Sequence, residues 1–190
     1  MYKKLGMLAL MFFLSGCMDV ASTGAQAIYN RHQLQKTLND QLLTMHAYQL
    51  INNKTDQFKD TNISISTYDS EMILAGQVPE AWQKEKAEAL IKTIPDIKAV
   101  YNSITVAGAS STLTRLSDVW LTAKIKSKLI ASDDVDATQV KVMTENGTVY
   151  LMGIVSKDEA SAAVDIAADT DGVHKVVKLF SYMTISKNEN

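Results

Sequence analysis

VKVMTENGTVYLMGIV, residues 140–155, is the stretch that decides the fold. An alternating segment runs to Asn146-Gly147, the dipeptide favoured in two-residue hairpin turns, and a more continuously apolar segment follows. ISISTYDSEMILAGQV, residues 63–78, superposes on it without a gap and places Gly76 on Gly153, a shift of 77 positions. Each hairpin is followed by a helical pattern, opened at Pro79-Glu80 in the first copy and running over Asp158–Ala168 in the second. An alternating strand then closes each copy, Ile97–Val106 and Val173–Ile185, with Val100 paired to Val176 at a shift of 76. Apolar residues at helical spacing precede each hairpin, over Gln33–Ile51 as one helix or two closely joined ones and over Ser117–Ile130 with Ser117 or Asp118 as its N-cap. The order helix, strand, strand, helix, strand thus occurs twice. It predicts an α+β chain of two domains, each with two helices packed on one face of a three-stranded mixed sheet. Gly76 and Gly153 are read as structural glycines, placed where a crossing helix leaves no room for a side chain.

Outward from the repeat, the termini and linkers fall into place. Lys3-Lys4, the apolar run Leu5–Phe13 and Leu14-Ser15-Gly16-Cys17 stand in the order of a secretory signal, and the last four residues resemble a bacterial lipobox. The apolar run is too short to span a bilayer. The resemblance implies that residues 1–16 are a signal peptide and that Cys17 becomes the acylated first residue of the mature lipoprotein. Met18 after the cysteine, with Asp19 one further on, favours the outer membrane under the sorting rules of such lipoproteins. Residues 17–30 are read as a tether, 31–106 as the first domain, 107–114 (AGASSTLT) as a linker and 115–186 as the second domain. Cys17 is the single cysteine of the 190-residue chain, so no disulfide framework is available. The formal charge is -2, and about -4 without Lys3 and Lys4, which gives no global basic character to attract nucleic acid.

The helix SDVWLTAKIKSKLI, residues 117–130, has an apolar face of Leu121, Ile125 and Leu129, and Trp120 lies roughly 140° from its middle. A large amphipathic ring should therefore face water, framed by Lys124 and Lys128 on one side and Lys126 on the other. Such a helix suits an anionic membrane surface. It equally suits an interface in which the ring packs on a protein and the lysines are a solvated face. The matching helix of the first domain has no lysine or arginine between Asp40 and Ile51 and fits packing on the second domain or on a partner. Trp82, among charges of both signs, is expected at the domain interface.

Catalytic and metal chemistry find no support. Asp133, Asp134 and Asp136 lack the ligand order of a calcium loop, and His32, His46 and His174 have no zinc spacing. No nucleophile elbow or phosphate-binding glycine loop is present. The chain reads as a protein without metal or cofactor that is not an enzyme.

The motifs MILAGQV with KAVYNSI, and VKVMTENGTVYLMGIV with DGVHKVV, resemble BON domains, and the two copies cover about Gln33 to Ile185. A lipobox followed by two such domains resembles the dual-BON outer-membrane lipoproteins. That resemblance implies a lipid-anchored protein facing the periplasm that binds phosphatidylglycerol or cardiolipin through the first helix of its second domain and supports envelope integrity and cell division. The lipid-binding positions it carries over are Trp120, Lys124, Lys126, Lys128 and Ile130, with Lys128 standing where a polar uncharged residue is found in a family member. It further implies association with the machinery that assembles outer-membrane β-barrels. The rival function is a periplasmic adaptor for that machinery or for cell-wall hydrolase regulation.

Overall fold

The computed structural model describes residues 24–183. The expected signal peptide, Cys17, the start of the expected tether and the last residues assigned to the second domain lie outside them. The first copy comprises α1 (Gly24–Asn52), β1 (Asn62–Tyr68), β2 (Glu71–Val78), α2 (Ala81–Ile91) and β3 (Ala99–Val106). The second comprises α3 (Thr112–Ile130), β4 (Val140–Glu145), β5 (Thr148–Val155), α4 (Lys157–Ala168) and β6 (Lys175–Tyr182). In each sheet the hairpin pair is antiparallel and the last strand adds parallel to the middle one, giving orders β1-β2-β3 and β4-β5-β6.

Two boundaries differ from the sequence reading. Residues 24–30, assigned to the tether, are the first turns of α1, in keeping with the good helix formers Ala25, Gln26 and Ala27. The second half of the linker is also helix. Ser111 accepts a hydrogen bond from the Thr114 amide at 3.1 Å and caps α3 six residues before Ser117. Asp118, a candidate cap from sequence, is instead buried in the middle of the helix. Its carboxylate accepts the amides of Asn146 and Gly147 at 2.8 and 2.9 Å, pinning α3 to the β4–β5 turn. Asp40 does the same in the first copy, accepting from Asp69 and Ser70 at 2.8 and 2.9 Å. Those turn residues all have positive φ, so the pinned amides belong to tight turns whose donors have nowhere else to go. Asp118→Ala leaves the buried Gly147 amide unpaired and the Asn146 amide to solvent, and is expected to cost about 1–3 kcal/mol in urea unfolding.

The compact unit that begins at Lys36 contains both sheets. β2 points Met72, Leu74 and Val78 toward its helices and Ile73 and Ala75 the other way. β5 repeats this with Val149, Leu151 and Val155 against Tyr150 and Met152. Ile73, Ala75, Tyr150 and Met152 form one shared cluster, edged by Tyr68, Met143, Val177 and Leu179. The two sheets therefore pack face to face with helices on the outer sides. Their near-continuous apolar runs are what strands buried on both faces require. Polar bonds fix the register of this contact. The Glu145 carboxylate accepts from Asn62 Nδ2 at 2.8 Å, Ser64 Oγ at 2.6 Å and Gln77 Nε2 at 3.1 Å, and Lys141 Nζ donates to the Thr67 carbonyl at 2.7 Å.

Gly76 and Gly153 do not face helices. A Cβ on Gly76 would run into the Asn62 carbonyl, and one on Gly153 into the Gln139 carbonyl. These are equivalent positions at the entry to the edge strands β1 and β4, so the expectation of a crossing helix is replaced by a close approach of neighbouring backbone. Trp82 is also displaced from its expected place. It is half exposed on α2 and is not among the residues of the shared cluster.

Candidate functional site

α3 contributes Leu121, Ile125 and Leu129 to the second core, all buried. Thr122 lies beside that face and donates to Thr144 Oγ1 at 2.7 Å. The opposite side is apolar as well. Leu113, Leu116, Val119, Trp120 and Ile130 are each at least 59% exposed, and with Ala123 they lie within about 120° of the helix circumference. Leu113, Leu116, Val119 and Trp120 adjoin one another as a stripe and not a scatter of single residues, and Ala123 and Ser127 lead from them to Ile130. Leu113, Arg115 and Leu116 escaped the sequence reading, since Leu113 falls in the assigned linker and the helix was started at Ser117; Val119 lies inside that helix and was not singled out.

Cations border the stripe along both edges. Arg115 and Lys126 follow one edge and Lys124 the other, with Lys128 further round. Arg115 donates to the Ser110 carbonyl at 2.8 Å, which holds its guanidinium beside the helix start. Lys126 stands near Lys141, whose ammonium is pushed below the ordinary lysine range first by burial and then by Lys126, against the opposing pull of Asp40. Lys124 lies 4.9 Å from the centre of the Trp120 ring, a cation–π contact, and 3.6 Å from Asp171 Oδ2. Lys128 donates to Thr170 Oγ1 at 2.9 Å and to the Asp169 carbonyl at 3.3 Å. Between Trp120 and the two lysines runs a groove of about 510 Å³ with Ala123, Ser127 and Ala131 as its floor. Of the five positions inferred from sequence, Trp120 and Ile130 thus lie in the stripe and Lys124 and Lys126 at its margins, while Lys128 lies further round, half-buried where α3 meets the turn after α4.

The first domain supplies a comparison within the molecule. Asp40 and Asp118 make the same bonds, a shift of 78, so Leu42 stands where Trp120 does and Leu38 where Leu116 does. Leu38, Leu42 and Met45 are exposed in the same way, and none is buried by the second domain. The cations are gone: His46, Tyr48 and Leu50 replace Lys124, Lys126 and Lys128. An exposed stripe is common to both copies, and the basic margins belong to one.

No helix among the described residues is long and apolar enough to cross a membrane. No three His, Cys, Asp or Glu side chains among them gather as a metal site would require.

The BON domain profile matches residues 39–108 and 117–184. The chain belongs to the BON-domain family. Its second BON match begins five residues inside α3, so Leu113 and Leu116 precede the matched region. Over 186 residues, 95% of the chain and 96% of the relative, it is 33% identical to outer membrane lipoprotein DolP of Haemophilus influenzae. It is 38% identical to a 21 kDa hemolysin of Actinobacillus pleuropneumoniae over 72% of the chain and 70% of that protein. It is 34% identical to osmotically-inducible protein Y of Escherichia coli over 64% of the chain and 62% of that protein. The homology supports an outer-membrane lipoprotein built of two BON domains.

Proposed function

We propose that this BON protein is anchored through Cys17 in the outer membrane, faces the periplasm and binds anionic phospholipid, phosphatidylglycerol or cardiolipin, along the outer side of α3. The observation that carries this is the stripe from Leu113 to Ile130 with cations along both edges. A helix lying in the interfacial plane needs an apolar face to enter the acyl boundary and basic side chains at headgroup level. Each lysine or arginine near an anionic surface contributes roughly 1 kcal/mol, so Arg115, Lys124, Lys126 and Lys128 form a weak site by themselves. The lipid anchor raises the effective concentration of bilayer at the helix and lets a weak contact be populated. In this role the protein supports envelope integrity as a binding protein and not as an enzyme.

A second reading has its own observation. Leu38, Leu42 and Met45 form an apolar stripe on α1 without basic margins, which suits a protein surface such as a component of β-barrel assembly better than lipid.

The test is flotation of Met18–Asn190, which holds the whole described body and lacks the anchor. Binding to phosphatidylglycerol vesicles, little binding to phosphatidylcholine and loss in high salt are expected. Leu113→Glu with Leu116→Glu should weaken that binding by about a hundredfold or more, since two apolar side chains are withdrawn and two like charges introduced. Equal binding to neutral vesicles, or none to either, would overturn the lipid reading.

A further inference from the structure

The turn between α4 and β6, Asp169-Thr170-Asp171-Gly172, lies against the edge of α3 that carries Lys124 and Lys128, and the two lysines meet it differently. Lys128 is held by a hydroxyl and a carbonyl, which are neutral, so its charge stays uncompensated. Lys124 faces a carboxylate, Asp171 Oδ2 at 3.6 Å, and its side chain is only 29% exposed because it also lies over Trp120. Asp171 itself is fully exposed, beside Lys124, which lines the groove next to Trp120. Gly172, at φ +96, turns the chain immediately after it, a conformation that other residues adopt only with strain. The carboxylate is therefore presented to Lys124 by a tight turn.

A headgroup phosphate approaching Trp120 seeks the same ammonium that Asp171 already pairs. We propose that Asp171 is an internal competitor for Lys124, so that α3 engages only surfaces with enough anionic lipid to displace it. This rests on the reading of α3 as a lipid-binding helix and adds the residue that sets its selectivity. An exposed pair at this distance is weak enough to open. A surface sparse in phosphate charge leaves Lys124 paired and its neighbour Asp171 repelling; a dense one draws Lys124 out and screens the carboxylate with counterions. Binding should accordingly rise steeply with anionic mole fraction, not in proportion to it.

Asp171→Asn removes the competitor and keeps the turn. One lysine freed at an anionic surface is worth about a fivefold gain, so the variant should bind phosphatidylglycerol vesicles about fivefold more tightly. It should also reach half-saturation at a lower phosphatidylglycerol fraction. Asp96→Asn is the control: it removes the same unit charge from a positive-φ turn of the first domain, a conformation asparagine tolerates as well as aspartate. Met18–Asn190 and both variants would be titrated with vesicles from pure phosphatidylcholine to pure phosphatidylglycerol. A shift in Asp171→Asn that Asp96→Asn does not share supports the inference. Equal shifts, no shift, or tighter binding to phosphatidylcholine as well would overturn it while leaving the lipid reading in place. Failure of the unsubstituted protein to bind at any phosphatidylglycerol fraction would overturn the lipid reading and the inference with it.

Discussion

Trp120→Glu is expected to abolish flotation with phosphatidylglycerol vesicles while leaving urea unfolding of the protein unchanged. The ring is 59% exposed and lies on the side of α3 opposite Leu121, Ile125 and Leu129, so the core does not depend on it. Its contact with Lys124 is a surface cation–π interaction worth about 0.5–1 kcal/mol, small beside the stability of a folded body. At a bilayer the balance reverses. Transfer of the exposed part of a Trp out of water supplies about 3 kcal/mol, and a glutamate in its place adds repulsion from anionic headgroups. Together these amount to a loss of about a hundredfold or more. Emission of Trp120 in a Trp82→Phe background checks the same point, since entry into the headgroup region should shift it to the blue. A folded Trp120→Glu protein that still floats would refute the placement of the site.

Gly76→Ala is expected to be the most damaging single substitution considered, costing more than about 4 kcal/mol and leaving little folded protein. Two causes act together. Gly76 holds φ +119, outside the left-handed region that other residues can tolerate, and its missing side chain is what lets the Asn62 carbonyl approach. Neither the Asn62 carbonyl nor the backbone of Ile63, 3.3 Å from the added carbon, can rotate away as a flexible side chain would. Gly153→Ala tests how much of this is contact alone, because it meets the equivalent Gln139 carbonyl without the positive φ. The overlap with that carbonyl is smaller than the one at Gly76, and a cost of about 2–3 kcal/mol is expected. Equal unfolding midpoints for Gly76→Ala and the unsubstituted protein would show that the backbone there relaxes.

What could be read from the sequence follows from range. Hairpins, turn residues and helical spacing are local signals, and a duplicated chain states each of them twice, so the order of elements and the mixed sheets were legible from 63–78 and 140–155. Trp120, Lys124, Lys126, Lys128 and Ile130 were legible as one face for the same reason, since a helix converts spacing into direction. The start of α3 was harder. AGASSTLT has the composition of a linker, and the Ser111 cap is recognised only once Leu113 and Leu116 are seen as helical residues with no place in the core. Asp118 shows a different obstacle. A carboxylate near the start of an apolar-periodic run signals an N-cap, and nothing nearby reveals that its partners are the amides of Asn146 and Gly147. The glycines were assigned the right constraint and the wrong neighbour, since a close approach is visible in sequence but the approaching segment is not. The sheet contact did leave a trace: MILAGQV and VYLMGIV are apolar at successive positions, more than one buried face requires.

That contact governs how the duplicated halves behave as an object. Ile73 and Ala75 are covered largely by the second copy, through Tyr150 and Met152 with Met143, Val177 and Leu179 at the edge, so separating the halves would bare an oily wall on each, and cutting the chain between them should yield two sticky fragments instead of two usable modules. The direction in which α3 presents its outer side is thereby tied to the first copy. It becomes a pointer with a fixed bearing, not a second bead on a string.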